Sequence, residues 1–88
     1  MMTVWKFKLP QNREHFVMDM PKGARILTLQ TQDGEPCFWA LVPDTEAEPE
    51  TREFVVYGTG WEIAEDNLHY IGTFQQPPYV FHLFEVIA

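Results

Sequence analysis

Apolar and polar side chains alternate with period two along most of this chain. Trp5, Phe7 and Leu9 alternate with Val4, Lys6 and Lys8, the pattern of a half-buried strand. Phe16, Met18 and Met20 alternate with His15, Val17 and Asp19 in a second. Pro10-Gln11-Asn12 between them is turn chemistry, and Pro21-Lys22-Gly23 ends the second strand. Residues 24–32 predict a third strand, rich in Ile, Leu and Thr. Residues 37–42 (Cys-Phe-Trp-Ala-Leu-Val) are apolar on both faces, which predicts a strand central in its sheet and covered on both sides. Residues 43–50 are acidic, contain proline and lack apolar bulk, and read as an exposed, mobile loop. A fifth strand follows over 53–57 and is broken by Gly58-Thr59-Gly60. Residues 61–67 read as a loop or one helical turn, 68–74 as a sixth strand, 75–78 as a four-residue hairpin loop and 79–87 as the last strand.

Asp33-Gly34 is the strongest local signal. It predicts a type I′ turn, in which both central residues have positive φ. A two-residue loop sets the register: Gln32 faces Glu35, Thr31 Pro36, Leu29 Phe38 and Leu27 Ala40. On the other face Gln30 pairs with Cys37, Thr28 with Trp39 and Ile26 with Leu41. The hairpin at 75–78 places Phe74 opposite Tyr79, Ile71 opposite His82 and His69 opposite Phe84.

About seven short strands with turns every 8–12 residues predict an all-β fold, a small antiparallel β sandwich or barrel. At 88 residues the chain makes one domain. Its hydrophobic fraction of 45% excludes a disordered chain.

Charge narrows the partners. The net charge is −7, which argues against generic binding to a phosphate backbone. It is unevenly spread. In residues 1–25, Lys6, Lys8, Arg13, Lys22 and Arg25 stand against Glu14 and Asp19, a net +3. Beyond them Arg52 alone stands against eleven acids, a net −10. The N-terminal segment therefore either packs beside acidic strands or forms a contact between unlike ends of two copies. No apolar run reaches the roughly 18 residues of a membrane-spanning helix, and Met1–Lys8 lacks the apolar stretch of a signal peptide. Cys37 is the single cysteine, so no intrachain disulfide forms, which fits a reducing cytoplasm. The expectation is a soluble cytoplasmic protein with no membrane partner.

The sequence offers little to catalysis. Serine is absent, so a serine nucleophile is excluded. Cys37 lies in an apolar strand and reads as a buried, inert thiol rather than a nucleophile. His69 and His82 fall on one face as diagonal neighbours in the predicted hairpin, but a third metal ligand is missing. Glu62, Glu65 and Asp66 cluster near Trp61 and read as solvated acids. Gly58-Thr59-Gly60 lacks the spacing and lysine of a phosphate loop. No catalytic residue, metal or cofactor is expected.

Thirteen aromatic residues are more than one thin core holds. Trp5, Trp61, Tyr79, Phe81 and Phe84 are therefore the expected interface residues, because Trp and Tyr concentrate at contact hot spots. A homodimer or higher homo-oligomer follows. An aromatic groove for a small ligand is the competing use, its charges drawn from Lys6, Lys8, Arg13, Lys22 and Arg25.

The segments Phe38-Trp39-Ala40-Leu41-Val42, Phe54-Val55-Val56-Tyr57-Gly58-Thr59-Gly60 and Tyr70-Ile71-Gly72-Thr73-Phe74 resemble a family of short uncharacterised proteins of tailed bacteriophages and prophages. The similarity includes Pro21-Lys22-Gly23-Ala24 and the closing aromatic segment. Its motifs are strands and glycine turns, and it carries over no catalytic residue. It implies a small accessory protein inside an infected bacterium: a non-enzymatic, self-associating binding module that engages a host protein. The alternatives are a binder that sequesters a nucleotide signal of host defence and a minor virion component.

Overall fold

Residues 1–87 of the computed structural model are described, and among them the regular elements are strands only. They are β1 (Thr3–Lys8), β2 (His15–Pro21), β3 (Arg25–Gln32), β4 (Glu35–Val42), β5 (Pro49–Gly58), β6 (Leu68–Gln76) and β7 (Tyr79–Val86). All pairings are antiparallel. One sheet has the order β1-β4-β3 and the other β2-β5-β7-β6. The all-β expectation holds, and the architecture is a two-sheet sandwich.

Strand alternation sends Phe38, Ala40 and Val42 of β4 and Phe54 and Val56 of β5 into one core with Phe16, Met20, Leu29, Phe74 and Leu83. Four rings connect the layers. Phe7 stacks on Phe38 at 5.3 Å, Phe38 meets Phe54 at 5.5 Å, and Phe54 stacks on Phe16 at 5.3 Å. β4 is central in its sheet. Cys37 is fully buried beside Gln30 and Lys8, while Trp39 and Leu41 are only partly covered.

The turns follow their residues. Asp33 and Gly34 both have positive φ (52° and 79°), as a type I′ turn requires. Gly23, at φ 83°, lets Pro21–Ala24 close with the Ala24 amide on the Pro21 carbonyl at 3.0 Å. The register leaves the predicted one beyond Thr28. A bulge inserts Leu27 between Ile26 and Thr28, so Ile26 faces Ala40 and Arg25 faces Leu41. A second bulge lies in β6 between Tyr70 and Gly72. These two edges meet: a Cβ on Gly72 would stand 3.0 Å from Leu29 Cβ, so the glycine is what lets β6 close against β3.

Two further expectations are corrected. β5 starts at Pro49, so the acidic loop is shorter than 43–50. It is also tethered, with the Ala47 amide on the Asp44 carbonyl and the Lys22 amide on the Glu48 carbonyl. Pairing in the last hairpin runs out to Gln76↔Tyr79, leaving a two-residue loop at Pro77-Pro78. Thr73 therefore faces His82 and Phe74 faces Phe81. Residues 61–67 are a loop, the first of the two forms expected of them.

The segment 59–67 joins β5 to β6 across the intervening β7. The Tyr57 hydroxyl donates a hydrogen bond to the Glu65 carboxylate in this strap. That bond, then desolvation and the Glu65 charge, raises the tyrosine pKa above its ordinary value. The folded state thus keeps this proton to higher pH than the unfolded chain does. Its stabilising effect is full below the ordinary tyrosine pKa and is lost as pH rises through the raised one. Ultraviolet titration should resolve a late-ionising tyrosine component that disappears in Glu65→Gln. A parent titration without that component would show that the strap is not held at Glu65.

Candidate functional site

The first strands of one sheet and the last of the other leave a cleft of about 470 Å³ at one end of the sandwich. Its floor and walls are Leu9, Pro36, Val56, Trp61, Phe74 and Phe81. Its rim carries Lys8, Gln11, Asn12, Arg13, Glu14, Glu35 and Gln76. The volume falls in the lower part of the range of small-molecule pockets, roughly 300–1,000 Å³.

Backbone contacts fix each wall. The Leu9 amide donates to the Pro36 carbonyl at 3.1 Å, and the Val56 amide donates to the Glu14 carbonyl at 2.7 Å. Between these anchors the 9–14 loop turns at Asn12, whose φ is +59°. Asparagine tolerates that left-handed conformation better than most residues. Glu35 holds the rim from the other side. Its carboxylate lies 3.1 Å from Lys8 Nζ and accepts from Gln11 Nε2 at 3.3 Å. The hydrogen bond to Lys8 pulls the Glu35 pKa below its ordinary value, and its counterpart raises that of Lys8.

Trp61 forms the aromatic wall, and Gly58 positions it. The Trp61 amide closes a turn on the Gly58 carbonyl at 3.1 Å, with Gly60 at φ +88° in the turn's third position. The indole then lies on Gly58 itself: a Cβ there would stand 2.6 Å from Trp61 Cε2. The ring meets Phe81 edge-on at 6.1 Å, and Phe81 meets Phe74 at 5.6 Å. Trp61 stays 47% exposed.

The five aromatic residues expected at an interface are divided among three places. Trp61 and Phe81 share the cleft, and Tyr79, 64% exposed, packs beside Phe81 at 6.0 Å. Phe84 lies between Tyr57 and Tyr70, each edge-on to it, and Tyr70 is 54% exposed. Trp5 packs on Phe7 along β1, opposite Ala40. The cations scatter more widely. Lys8 and Arg13 reach the cleft, Lys6 donates to Gln32, Lys22 lies in the β2–β3 turn, and Arg25 borders a shallow depression at the β3–β6 seam.

The titratable candidates stay apart. His15 pairs with Glu53, His69 stands opposite Glu85, and His82 lies between Thr59 at 2.8 Å and Thr73 at 2.9 Å. The predicted His69–His82 neighbourhood is therefore lost, because it depended on the four-residue hairpin. Cys37 Sγ is buried and meets the Glu35 carbonyl at 3.4 Å. Among the described residues no group of three or more His, Cys, Asp or Glu is placed to hold a metal ion. Glu65 is engaged by Tyr57, and neither it, Glu62 nor Asp66 lines the cleft. Sequence reasoning had Trp61 and Phe81 but missed Leu9, Pro36, Val56 and Phe74 as their companions.

Comparison with protein families matches one family model over residues 1–88, described as a domain of unknown function. No curated protein and no solved structure matches the chain.

Proposed function

The chain belongs to the family of the domain of unknown function DUF7352, and from that premise we propose a non-enzymatic binding module that captures a small organic ligand in its end cleft. One observation carries the reading: Trp61 is seated on Gly58 yet left half exposed over a concave apolar floor. A folded chain gains more from a buried tryptophan than from an exposed one. An exposed ring already seated on Gly58 and against Phe81 at the cleft wall is instead placed for a ligand, which reduces the ordering that binding requires. The proposal includes the setting implied by the sequence resemblance, an accessory protein of a tailed phage or prophage acting in the bacterial cytoplasm.

The test is native mass spectrometry on protein purified gently from bacterial cytosol, with Trp61→Ala and Gly58→Ala as controls. The expected result is an added mass of a few hundred daltons on the parent, absent from Trp61→Ala. Gly58→Ala should weaken retention by displacing the indole, with the circular dichroism of a folded β protein preserved. A folded parent that carries no added mass, or an added mass that survives Trp61→Ala, counts against the cleft.

Self-association with engagement of a host protein is the second reading. The exposed Tyr70 beside Phe84, on the side of β6 and β7 away from the core, favours it. In that case the same spectra show a dimer or larger species, and Phe84→Glu reduces it to monomer while the chain stays folded.

A further inference from the structure

We propose that the ligand of this cleft is a planar ring system bearing a single negative charge, the ring against Trp61 and Phe81 and the charge on Arg13. The inference rests on the cleft being the binding site and goes on to name the class of molecule it takes.

The ring follows from the walls. Trp61, Phe74 and Phe81 form a chain of aromatic contacts, with Leu9, Pro36 and Val56 completing the apolar lining. Such a surface favours a flat apolar body that offers its face or edge to the indole. The charge follows from what the rim leaves free. Four charged side chains line the cleft: Lys8, Arg13, Glu14 and Glu35. Lys8 is already paired with Glu35, which also takes the Gln11 amide. The Arg13 side chain has no ion pair or hydrogen bond among the described residues. It stands on a loop anchored one residue later, where the Glu14 carbonyl takes the Val56 amide. Its guanidinium is thus an exposed, unpaired cation at the rim, with a planar fork of donors suited to a carboxylate or a comparable oxyanion.

The number of charges follows from the cations left free. Two cations, Arg13 among them, and two carboxylates line the site, so the empty cleft is neutral, and Glu14, like Arg13, has no ion pair among the described residues. One anionic group satisfies Arg13. A second would meet Glu14 or Glu35 with no free cation to offset it, and like charges in a binding site select against a partner. A neutral ring would leave the guanidinium without a role. The five N-terminal cations do not converge here, which argues against a polyphosphate.

The experiment is a titration followed by the indole N–H signals in nuclear magnetic resonance, with the Trp61 signal assigned by Trp61→Phe. The probes are 2-naphthamide, 2-naphthoate and 2,6-naphthalenedicarboxylate, which share one ring system and carry zero, one and two negative charges. The expected result is that all three shift the Trp61 signal and that naphthoate binds about tenfold tighter than the amide, a ratio within reach of one charge-assisted hydrogen bond. Dicarboxylate should bind more weakly than naphthoate. Arg13→Gln, an exposed substitution that leaves the core untouched, should bring naphthoate down to the level of the amide, and Arg13→Lys should restore part of the difference. Equal affinities for amide and naphthoate, an unchanged preference in Arg13→Gln, or a preference for the dicarboxylate would overturn the single-charge assignment while leaving the cleft as a ring-binding site. If none of the probes moves the Trp61 signal, the cleft reading fails and this inference fails with it.

Discussion

Phe38→Ala should cost the fold at least a quarter of its stability, and up to all of it. Phe38 is fully buried in the central strand β4 and touches rings of both sheets, Phe7 at 5.3 Å and Phe54 at 5.5 Å. Truncating a core phenylalanine costs about 3–5 kcal/mol, part in lost burial and part in the cavity that remains. A domain of this length has a total stability of about 4–13 kcal/mol, on the scale of roughly 0.05–0.15 kcal/mol per residue. The loss therefore takes between a quarter and all of the stability. Local collapse offers little relief, because the site is enclosed by Phe7, Phe54 and the strand backbones on either side. Urea denaturation followed by circular dichroism should show a large fall in midpoint, and Phe38→Leu a much smaller one. A loss under about 1 kcal/mol for Phe38→Ala would be too small for a core-cavity substitution and would mean that the ring ladder does not join the sheets.

The same strand marks how far the fold can be read from sequence. Asp33-Gly34 sets the pairing correctly from Gln32↔Glu35 to Thr28↔Trp39, because a type I′ turn admits few residue types and closes a loop of fixed length. Agreement ends at Leu27, where the bulge adds one residue. Counting by twos cannot register an insertion, and Leu27 and Ile26 are equally apolar, so nothing in their chemistry says which faces Ala40. The 68–86 hairpin fails for a related reason. Gln75 and Gln76 look like loop residues but remain in the ladder, since strand ends facing solvent tolerate polar side chains. That shift of two positions carried His69 and His82 into a false neighbourhood. β5 reaches back to Pro49 by pairing with β2, and its first residues show no apolar alternation to announce a strand.

The cleft was legible only in pieces. Gly58-Thr59-Gly60 marks a turn, and Trp61 and Phe81 stand out as aromatics in excess of one core. The cleft itself joins the 9–14 loop, the 33–36 turn and the ends of β5, β6 and β7. Periodicity records which way a side chain points, not which strand ends share one end of a sandwich. That information lies in the strand order, with β4 at the centre of one sheet and β5 and β7 at the centre of the other.

Arg52→Ala should destabilise the protein by about 2–3 kcal/mol, between the roughly 0–1 kcal/mol of an exposed bridge and the 3–5 kcal/mol of breaking a fully buried pair from one side. Arg52 Nε lies 2.6 Å from Glu85 Oε2 and Nη2 lies 2.7 Å from Glu85 Oε1, a bidentate pair whose side chains are only 16% and 15% exposed. The third nitrogen, Nη1, donates to the Ala24 carbonyl just ahead of β3. One guanidinium thus ties β5 and β7 of one sheet to the entrance of the other. The bond to Glu85, above all, holds the Arg52 pKa above its ordinary value, so the group stays charged throughout the working range. Removing it strands a carboxylate with little access to water and leaves the Ala24 carbonyl without this donor. Arg52→Met with Glu85→Leu removes both charges at once and should recover most of the loss, because an apolar pair of similar volume avoids the desolvation cost. The double-mutant cycle in urea isolates the coupling. A coupling near zero would place the pair among exposed surface bridges. Arg52 sits six positions before Gly58 on β5, about 20 Å at strand rise. The sheet tie and the Trp61 wall are therefore separable: an Arg52 variant that remains folded should bind 2-naphthoate as the parent does, and Gly58→Ala should lose binding with the Arg52–Glu85 coupling intact.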